Sequence, residues 1–191
     1  MATRDSTRTK LLDAADELCF TGGVVNTPVD TILQRAGVSP ATLYRAYGSK
    51  EDLIAAALDR RHCEWLEVWD EAVAHGTDDR ARLLAVFDAL EQFRARPAGA
   101  RWCAFLGTAA EYAEPPAVLA AAIERETRSL LRRLEGLAEP AVGARAPALA
   151  RALALIVSGQ LAMRLRNAGP GDVDLARAVA ETLIDHPEHV R

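Results

Sequence analysis

The sequence predicts an all-α fold, and three observations support that prediction. Alanine, leucine, arginine and glutamate, all good helix formers, dominate the 191 residues. No stretch sustains the apolar–polar alternation, rich in β-branched residues, that is typical of strands. Glycine and proline occur at intervals that suit helix ends. These marks divide the chain into about nine expected helices: 6–22, 28–36, 40–47, 49–75, 79–96, 101–113, 116–138, 146–168 and 172–185.

The composition narrows the classes of function. Hydrophobic residues make up 50% of the chain, which suffices for a sizeable core and excludes wholesale disorder. The formal net charge is −4, and the first 61 residues hold eight basic and eight acidic side chains. Binding to nucleic acid must therefore come from a local basic surface and not from the overall field. The three cysteines form no C-x-x-C pair and the start, MATRDSTRTK, has no apolar signal core, so we expect a cytoplasmic protein without a disulfide scaffold or zinc site.

The first short helix has signals at both ends. Thr27 is expected to cap it, with Pro28 as its first residue and Asp30 at its third position, as in a capping box. Gly37 supplies the left-handed residue that ends it. Between these ends an apolar stripe at spacings of three and four residues predicts one core face. The stripe consists of Val29, Ile32, Leu33 and Ala36.

Two more helix starts follow closely. Ser39 and Pro40 begin the next helix with the same pattern of a cap and then a proline. Gly48 ends that helix after about two turns, and Ser49 begins a third. Three starts and two glycine stops in so short a stretch predict a helix-turn-helix arrangement.

The middle helix of this arrangement has two different sides. At 100° per residue, Leu43 and Tyr47 point toward the core with Ala46 beside them, and Tyr44 lies on an edge. The opposite side presents small, polar and basic residues: Ala41, Thr42 and Arg45. Such a helix, braced by a second one, suits the major groove of DNA, where arginine binds guanine and threonine contacts thymine. A small helical corner without any DNA-binding role fits the same pattern.

Three further side chains are placed to hold DNA phosphates. The hydroxyl groups of Tyr44 and Thr27 can donate to phosphate oxygens, and Lys50 lies at a helix start, where anions are held. These assignments complete a predicted DNA-binding surface.

The stretch TPVDTILQRAGVSPATLYRAYGSKEDL closely resembles the DNA-binding domain of TetR-family transcriptional regulators, and LLDAADELCFTGG before it fits the family's first helix. The resemblance covers about residues 8–55. It implies a homodimer that binds a pseudo-palindromic operator in double-stranded DNA, usually as a repressor released by a small ligand. Carried over by position, it implies that the residues facing or flanking DNA are Thr27, Ser39, Pro40, Ala41, Thr42, Tyr44, Tyr47 and Lys50, to which the exposed face adds Arg45.

The chain departs from the family pattern at two positions. Cys19 stands where an aromatic residue is usual, which predicts that Phe20 or a neighbour fills the space. Tyr47 stands where phenylalanine is commoner, so its hydroxyl has either a phosphate or a core partner.

The helix expected from Ser49 carries one continuous apolar stripe that includes His62, Trp65 and Trp69. Core packing explains all three side chains, yet clustered aromatic residues beside a titratable group are also typical of a small-molecule cavity. The candidates for a ligand site are His62, Trp65, Trp69, Phe87, Trp102, Cys103, Phe105, Tyr112 and Met163, and Phe93 is a further aromatic candidate. Their character predicts a hydrophobic effector.

The segment from Ala146 to about Arg166 is apolar nearly all round. Arg151 and Gln160 lie well inside it, which argues against a membrane span and for a buried helix. A helix without a polar face needs a partner on both sides, so we expect it to pair with its symmetry mate and with helix 172–185 in a homodimer. The small residues Ala148, Ala152, Ser158 and Gly159 would permit close approach.

Taken together, these features predict a helix-turn-helix DNA-binding domain at 1–50 and a helical ligand-binding and dimerisation domain at 51–191. An all-helical enzyme or small-molecule carrier is the alternative, and a helical protein–protein adaptor is a third. No nucleophile–base pair, metal-ligand spacing or glycine-rich phosphate loop supports an enzyme, and Glu111 is the nearest thing to a buried acid. We therefore expect a regulator without catalytic residues, cofactors or metals, released from its operator by a small molecule.

Overall fold

The computed structural model describes residues 2–95, 103–166 and 173–190. These residues form nine α-helices, with no strand in the described part of the chain, so the predicted all-α class is confirmed. The helices are α1 (Ala2–Gly22), α2 (Val29–Ala36), α3 (Pro40–Tyr47), α4 (Lys50–Ala74), α5 (Asp79–Ala95), α6 (Ala104–Glu111), α7 (Ala117–Val142), α8 (Ala146–Leu165) and α9 (Asp174–Asp185). Short 3-10 helices occupy Gly143–Arg145 and Pro187–His189.

The helix ends in the helix-turn-helix follow local chemistry. Gly37 has a φ of 65° and donates its N–H to the last carbonyls of α2, so it is the predicted left-handed stop. Ser49 and Asp52 exchange hydrogen bonds at the start of α4, with the Asp52 nitrogen 2.9 Å from the Ser49 hydroxyl oxygen. The predicted cap at Thr27 is wrong. Pro28 is the N-cap residue of α2, and its side chain has no polar atom with which to cap the helix. The Thr27 hydroxyl donates instead to the carbonyl oxygen of Gly23.

The end of α7 also differs from prediction. The helix was expected to end before Pro140, yet it continues to Val142 with this proline in its last turn. Proline removes one backbone hydrogen bond there but does not by itself reverse the chain. Gly143, with a φ of 54°, provides the left-handed residue at which the helix stops.

Residues pack into two compact units. The first consists of Met1–Cys63 and Cys103–Arg125, and the second of Glu64–Trp102 and Glu126–Arg191. Two of the three divisions fall within α4 and α7, and the third precedes α6. Packing thus divides the chain differently from the functional boundary near residue 50, which stays a prediction.

The first unit buries the helix-turn-helix against α1 and α4. Leu11 of α1, Ile32 of α2, Leu43 of α3 and Ile54 of α4 are all fully buried in one core. Phe20 and Cys19 are both buried in this core, and the filling of the missing aromatic residue's space by Phe20 stays a prediction. Burial raises the pKa of the Cys19 thiol to about 11, so this thiol is protonated at neutral pH.

The second unit has its own core, made by α5, α8 and α9 with the later turns of α4 and α7. Trp69 and Phe87 are its largest fully buried side chains. The buried residues of α8 are Ala146, Leu149, Ala150, Leu153 and Val157. By length and composition alone, one described helical run, Ala117–Leu165, could cross a membrane. The buried face of α8 belongs to a protein core.

Candidate functional site

Helix α3 is anchored by one side chain and leaves the opposite side open. Leu43 is fully buried, as predicted, while Ala41 and Arg45 on the other side are exposed. Tyr44, predicted on an edge, is 53% exposed. Thr42 is half-buried, and its hydroxyl lies 2.9 Å from that of Ser39. The helix thus presents a surface of two small side chains, a phenol and a guanidinium group.

Pro40 and Tyr47 complete this surface at the two ends of α3. Pro40 is exposed at the first position of the helix. Tyr47 is half-buried, and the guanidinium carbon of Arg8 lies 5.0 Å from its ring centroid. Arg8 is a cation that the sequence did not single out, because nothing in its local pattern points to a partner in α3.

Thr27 and Lys50 do not extend freely from the surface. Thr27 is buried, and its hydroxyl donates to the carbonyl oxygen of Gly23 at 2.6 Å. The Nζ of Lys50 donates to the carbonyl oxygen of Val24 at 2.6 Å. Both side chains therefore brace the loop between α1 and α2, and their contact with phosphate remains a prediction.

Glu111, at the end of α6, reaches the same loop. One oxygen of its carboxylate accepts the N–H of Val24 at 3.0 Å, and the other accepts the N–H of Val25 at 2.7 Å. From the sequence, Glu111 is the nearest thing to a buried acid, and helix capping or solvent exposure explains it as well. No local signal could have found the contact, since 86 residues separate Glu111 from Val25.

The predicted ligand residues fall into both units. His62, Cys103, Phe105 and Tyr112 belong to the first unit, and Trp65, Trp69, Phe87 and Met163 to the second. Trp102 lies outside the described residues.

In the first unit, His62 meets Phe105 edge-on with ring centroids 6.2 Å apart. Its Nδ1 atom is buried and has no hydrogen-bond partner among the described residues. Burial lowers the pKa of the His62 imidazole, and Asp59 beside it opposes that effect. Cys103 accepts the N–H of Leu106 as the N-cap of α6. Burial raises the pKa of the partly buried Tyr112 hydroxyl.

In the second unit, aromatic rings form a connected cluster. Trp65 lies 5.5 Å from Trp69 and 5.7 Å from Phe93, measured between ring centroids. The Arg133 guanidinium lies over the Trp69 ring at 4.7 Å and also pairs with Asp70. We call Trp65, Trp69, Phe93 and Arg133 the aromatic cluster. Two of its donors, Trp69 Nε1 and Arg133 Nε, are buried without a hydrogen-bond partner in the described chain.

The remaining predicted ligand residues lie elsewhere in the second unit. Phe87 is fully buried in the core and has Arg177 over its ring. Met163 is 45% exposed on α8. Neither has a ring contact with the aromatic cluster in the described residues, so their role as ligand contacts stays a prediction.

The N-terminal part of the chain matches a known family. Residues 11–57 match the model of bacterial regulatory proteins of the tetR family. The HTH-type transcriptional activator FasR of Mycolicibacterium smegmatis is 37% identical over 90 residues. This alignment covers 47% of the chain and 41% of FasR, so the match spans less than half the length of that relative.

Solved structures resemble nearly the whole chain. A TetR-type transcriptional regulator from Streptomyces avermitilis has a TM-score of 0.81 at 26% identity, covering 95% of this chain and 98% of its own. A TetR-family regulator from Streptomyces coelicolor also has a TM-score of 0.81, at 24% identity, with 95% and 87% covered. At this identity, the likeness to the Streptomyces coelicolor regulator shows a shared fold alone.

Proposed function

Since the chain belongs to the tetR family of bacterial regulatory proteins, we propose that it binds operator DNA as a homodimer and represses transcription until a small hydrophobic molecule releases it. The protein would act in the cytoplasm, where operator DNA is found. It would hold no metal or cofactor and would catalyse no reaction. Each part of this proposal rests on a separate surface of the structure.

The open side of α3 is the observation that supports DNA binding. Arg45 and Tyr44 extend from it, Ala41 allows the helix to approach bases closely, and the buried Leu43 fixes its orientation. Arginine can bind guanine through two hydrogen bonds, so Arg45 is proposed to read bases. Tyr44, Ser39 and Pro40 lie where DNA strands would pass and are proposed to set the position of α3.

Apolar side chains on α8 and α9 support the dimer. Leu155 and Leu175 are each 75% exposed, and Met163, Leu165 and Val179 are exposed with them. Contact with a second copy would remove this apolar surface from water. Leu153, by contrast, is fully buried in the core of its own protomer and is not available to a second copy.

The aromatic cluster supports the effector. Two of its rings, Trp65 and Phe93, are half-buried and offer apolar contact. The Trp69 Nε1 and Arg133 Nε donors, which have no partner among the described residues, would gain one from a compound with an oxygen acceptor. Trp65 lies on α4, the helix that begins at Lys50 beside the loop before α2. A ligand beside Trp65 that favoured a different placement of α4 would lower operator affinity at both half-sites together.

Footprinting on the DNA that flanks the protein's own gene tests the proposal. We expect protection of two half-sites about 34–36 Å apart on one face of the duplex, with affinity that falls steeply with salt. An enzyme or carrier of the same fold would protect no site and show no such salt dependence.

The direction of regulation needs its own measurement, because the relative FasR is named as an activator. Transcription from the footprinted promoter should fall when the purified protein is added. A rise would overturn repression and leave DNA binding intact.

A further inference from the structure

The loop between α1 and α2 is held from two sides by charged side chains. The carboxylate of Glu111, from α6, accepts the N–H groups of Val24 and Val25. The ammonium group of Lys50, from the start of α4, donates to the Val24 carbonyl. The N–H and the carbonyl oxygen of Val24 are therefore each hydrogen-bonded to a charged side chain. Charge-assisted hydrogen bonds of this kind are stronger than neutral ones.

The backbone before Val24 is shaped for this contact. Gly23 has a φ of 98°, a backbone conformation that residues other than glycine rarely adopt. A Cβ atom at Gly23 would lie 3.1 Å from a Glu111 carboxylate oxygen, which is closer than ordinary contact. The carboxylate thus packs directly against the glycine backbone. Thr27 completes the arrangement by donating to the Gly23 carbonyl oxygen.

This loop controls where α2 begins, and α2 supports α3. Thr27 and Pro28 connect the loop directly to Val29, the first residue of α2. The buried residues of α2 pack in the same core as Leu43 of α3. A displacement of the loop would therefore move the support on which α3 rests, and would also release the Lys50 ammonium from Val24.

We propose that Glu111 is a positioning residue for DNA binding, which acts by fixing the loop between α1 and α2 and, through Val24, the Lys50 side chain. The inference rests on the proposed DNA-binding function, to which it adds a residue outside the helix-turn-helix. Glu111 itself touches no DNA in this proposal. Its carboxylate holds the loop and Lys50 in the positions that DNA binding requires.

The sign of the effect separates positioning from simple electrostatics. A carboxylate repels DNA phosphates, so removing its charge should slightly strengthen binding if charge alone matters. If Glu111 positions the loop, the same change should weaken binding. Glu114, an exposed acid just after α6, is the matched control because its loss changes the charge equally.

The experiment compares Glu111→Gln, Glu111→Asp and Glu114→Gln on the footprinted operator. Glutamine keeps one acceptor oxygen but loses the charge, and aspartate keeps the charge but is one methylene too short to reach both amides. We expect the operator Kd to rise about tenfold for both Glu111 variants, which is a typical size for the loss of one contact that is coupled to binding. For Glu114→Gln we expect no rise.

Two further readouts identify the mechanism. Amide hydrogen exchange of Val24 and Val25 should be slow in the wild-type protein and fast in Glu111→Gln, with the core of the second unit unchanged. The slope of log K against log salt, which is negative, should become shallower by about 0.9 if release of Lys50 costs one phosphate contact. General destabilisation would speed exchange throughout the first unit.

The outcomes separate this inference from the proposed function. Failure of the wild-type protein to protect any DNA in the footprinting experiment would overturn both the proposed function and the positioning role of Glu111. Operator binding by the wild type that is unchanged or tighter in Glu111→Gln and Glu111→Asp would overturn the positioning role alone. If Glu111→Gln loses its helical circular dichroism, the test rests on operator binding by Glu111→Asp and on hydrogen exchange at Val24 and Val25 in the wild-type protein. Fast exchange at these two amides in the wild type would contradict the proposal.

Discussion

Lys50 Nζ and the carbonyl oxygen of Val24 lie 2.6 Å apart, which joins the first residue of α4 to the loop before α2. An ammonium group has three N–H donors, and this contact uses one of them. Lys50 is therefore held in place at a helix start while donors remain for a phosphate oxygen. The contact joins the start of α4 to the loop between α1 and α2, and both ends lie within residues 11–57, which match the family model.

Lys50→Ala should weaken binding to all DNA sequences alike. A phosphate contact carries no base information, so affinity for operator and for random DNA should fall together. The slope of log K against log salt, which is negative, should become shallower by about 0.9. An unchanged slope beside a lower affinity would show that Lys50 only braces Val24. Arg132→Ala, which removes an exposed cation from the second unit, is the control.

Arg45→Ala should change sequence preference within a half-site. Arg45 is exposed on the open side of α3, and losing a bidentate contact to guanine costs about 1–3 kcal/mol at one base position. Selection from randomised half-sites measures the change. A uniform loss of affinity at every position would assign Arg45 to the phosphates instead.

Leu155→Glu combined with Leu175→Glu should give monomers in sedimentation velocity. Both side chains are exposed, so the charges leave the core of the second unit undisturbed but would be buried in the proposed interface. Leu106→Glu, on α6 in the first unit, should leave the dimer intact. A dimer of undiminished stability in the double variant would contradict the interface. Glutamate at Leu153 would not test it, because that residue is in the core.

A compound that releases the operator should also change tryptophan emission, because Trp65 and Trp69 form part of the proposed effector site. Trp65→Phe should change both the release of the operator by the compound and the accompanying change in emission. Trp69→Ala would mainly create a core cavity. Arg133→Met should weaken release and Arg132→Met should not. Normal release by Trp65→Phe and Arg133→Met, with unchanged emission, would place the effector elsewhere.

Glu126→Gln should stabilise the protein at pH 8. Burial raises the pKa of the Glu126 carboxyl to about 7, well above the value of an exposed glutamate. Between the unfolded and folded pKa values the folded state binds the extra proton, so stability falls as pH rises from about 4.5 to 7. Removing the acid should recover about 1–3 kcal/mol at pH 8. Urea unfolding should show the gain narrowing toward pH 5, in contrast to Glu135→Gln, which changes an exposed acid.

Local sequence determined the helices and the character of α3. Gly37 and Ser49 lie where only short-range backbone chemistry matters, so their roles could be read from neighbouring residues. The side of α3 that Leu43 buries follows from the 100° repeat. Even so, Thr27 shows the limit, since its hydroxyl could cap α2 or turn back to Gly23, and both are local choices.

Tertiary structure alone decided which distant residues meet. The contact of Glu111 with Val24 and Val25, and that of Arg133 with Trp69, join segments whose sequences contain no sign of one another. The same holds for α8, whose apolar pattern runs all round and so could not show that Leu153 is buried and Leu155 exposed. Periodicity fixes which residues share a face of one helix. Which face is covered depends on neighbours that only the folded chain brings together.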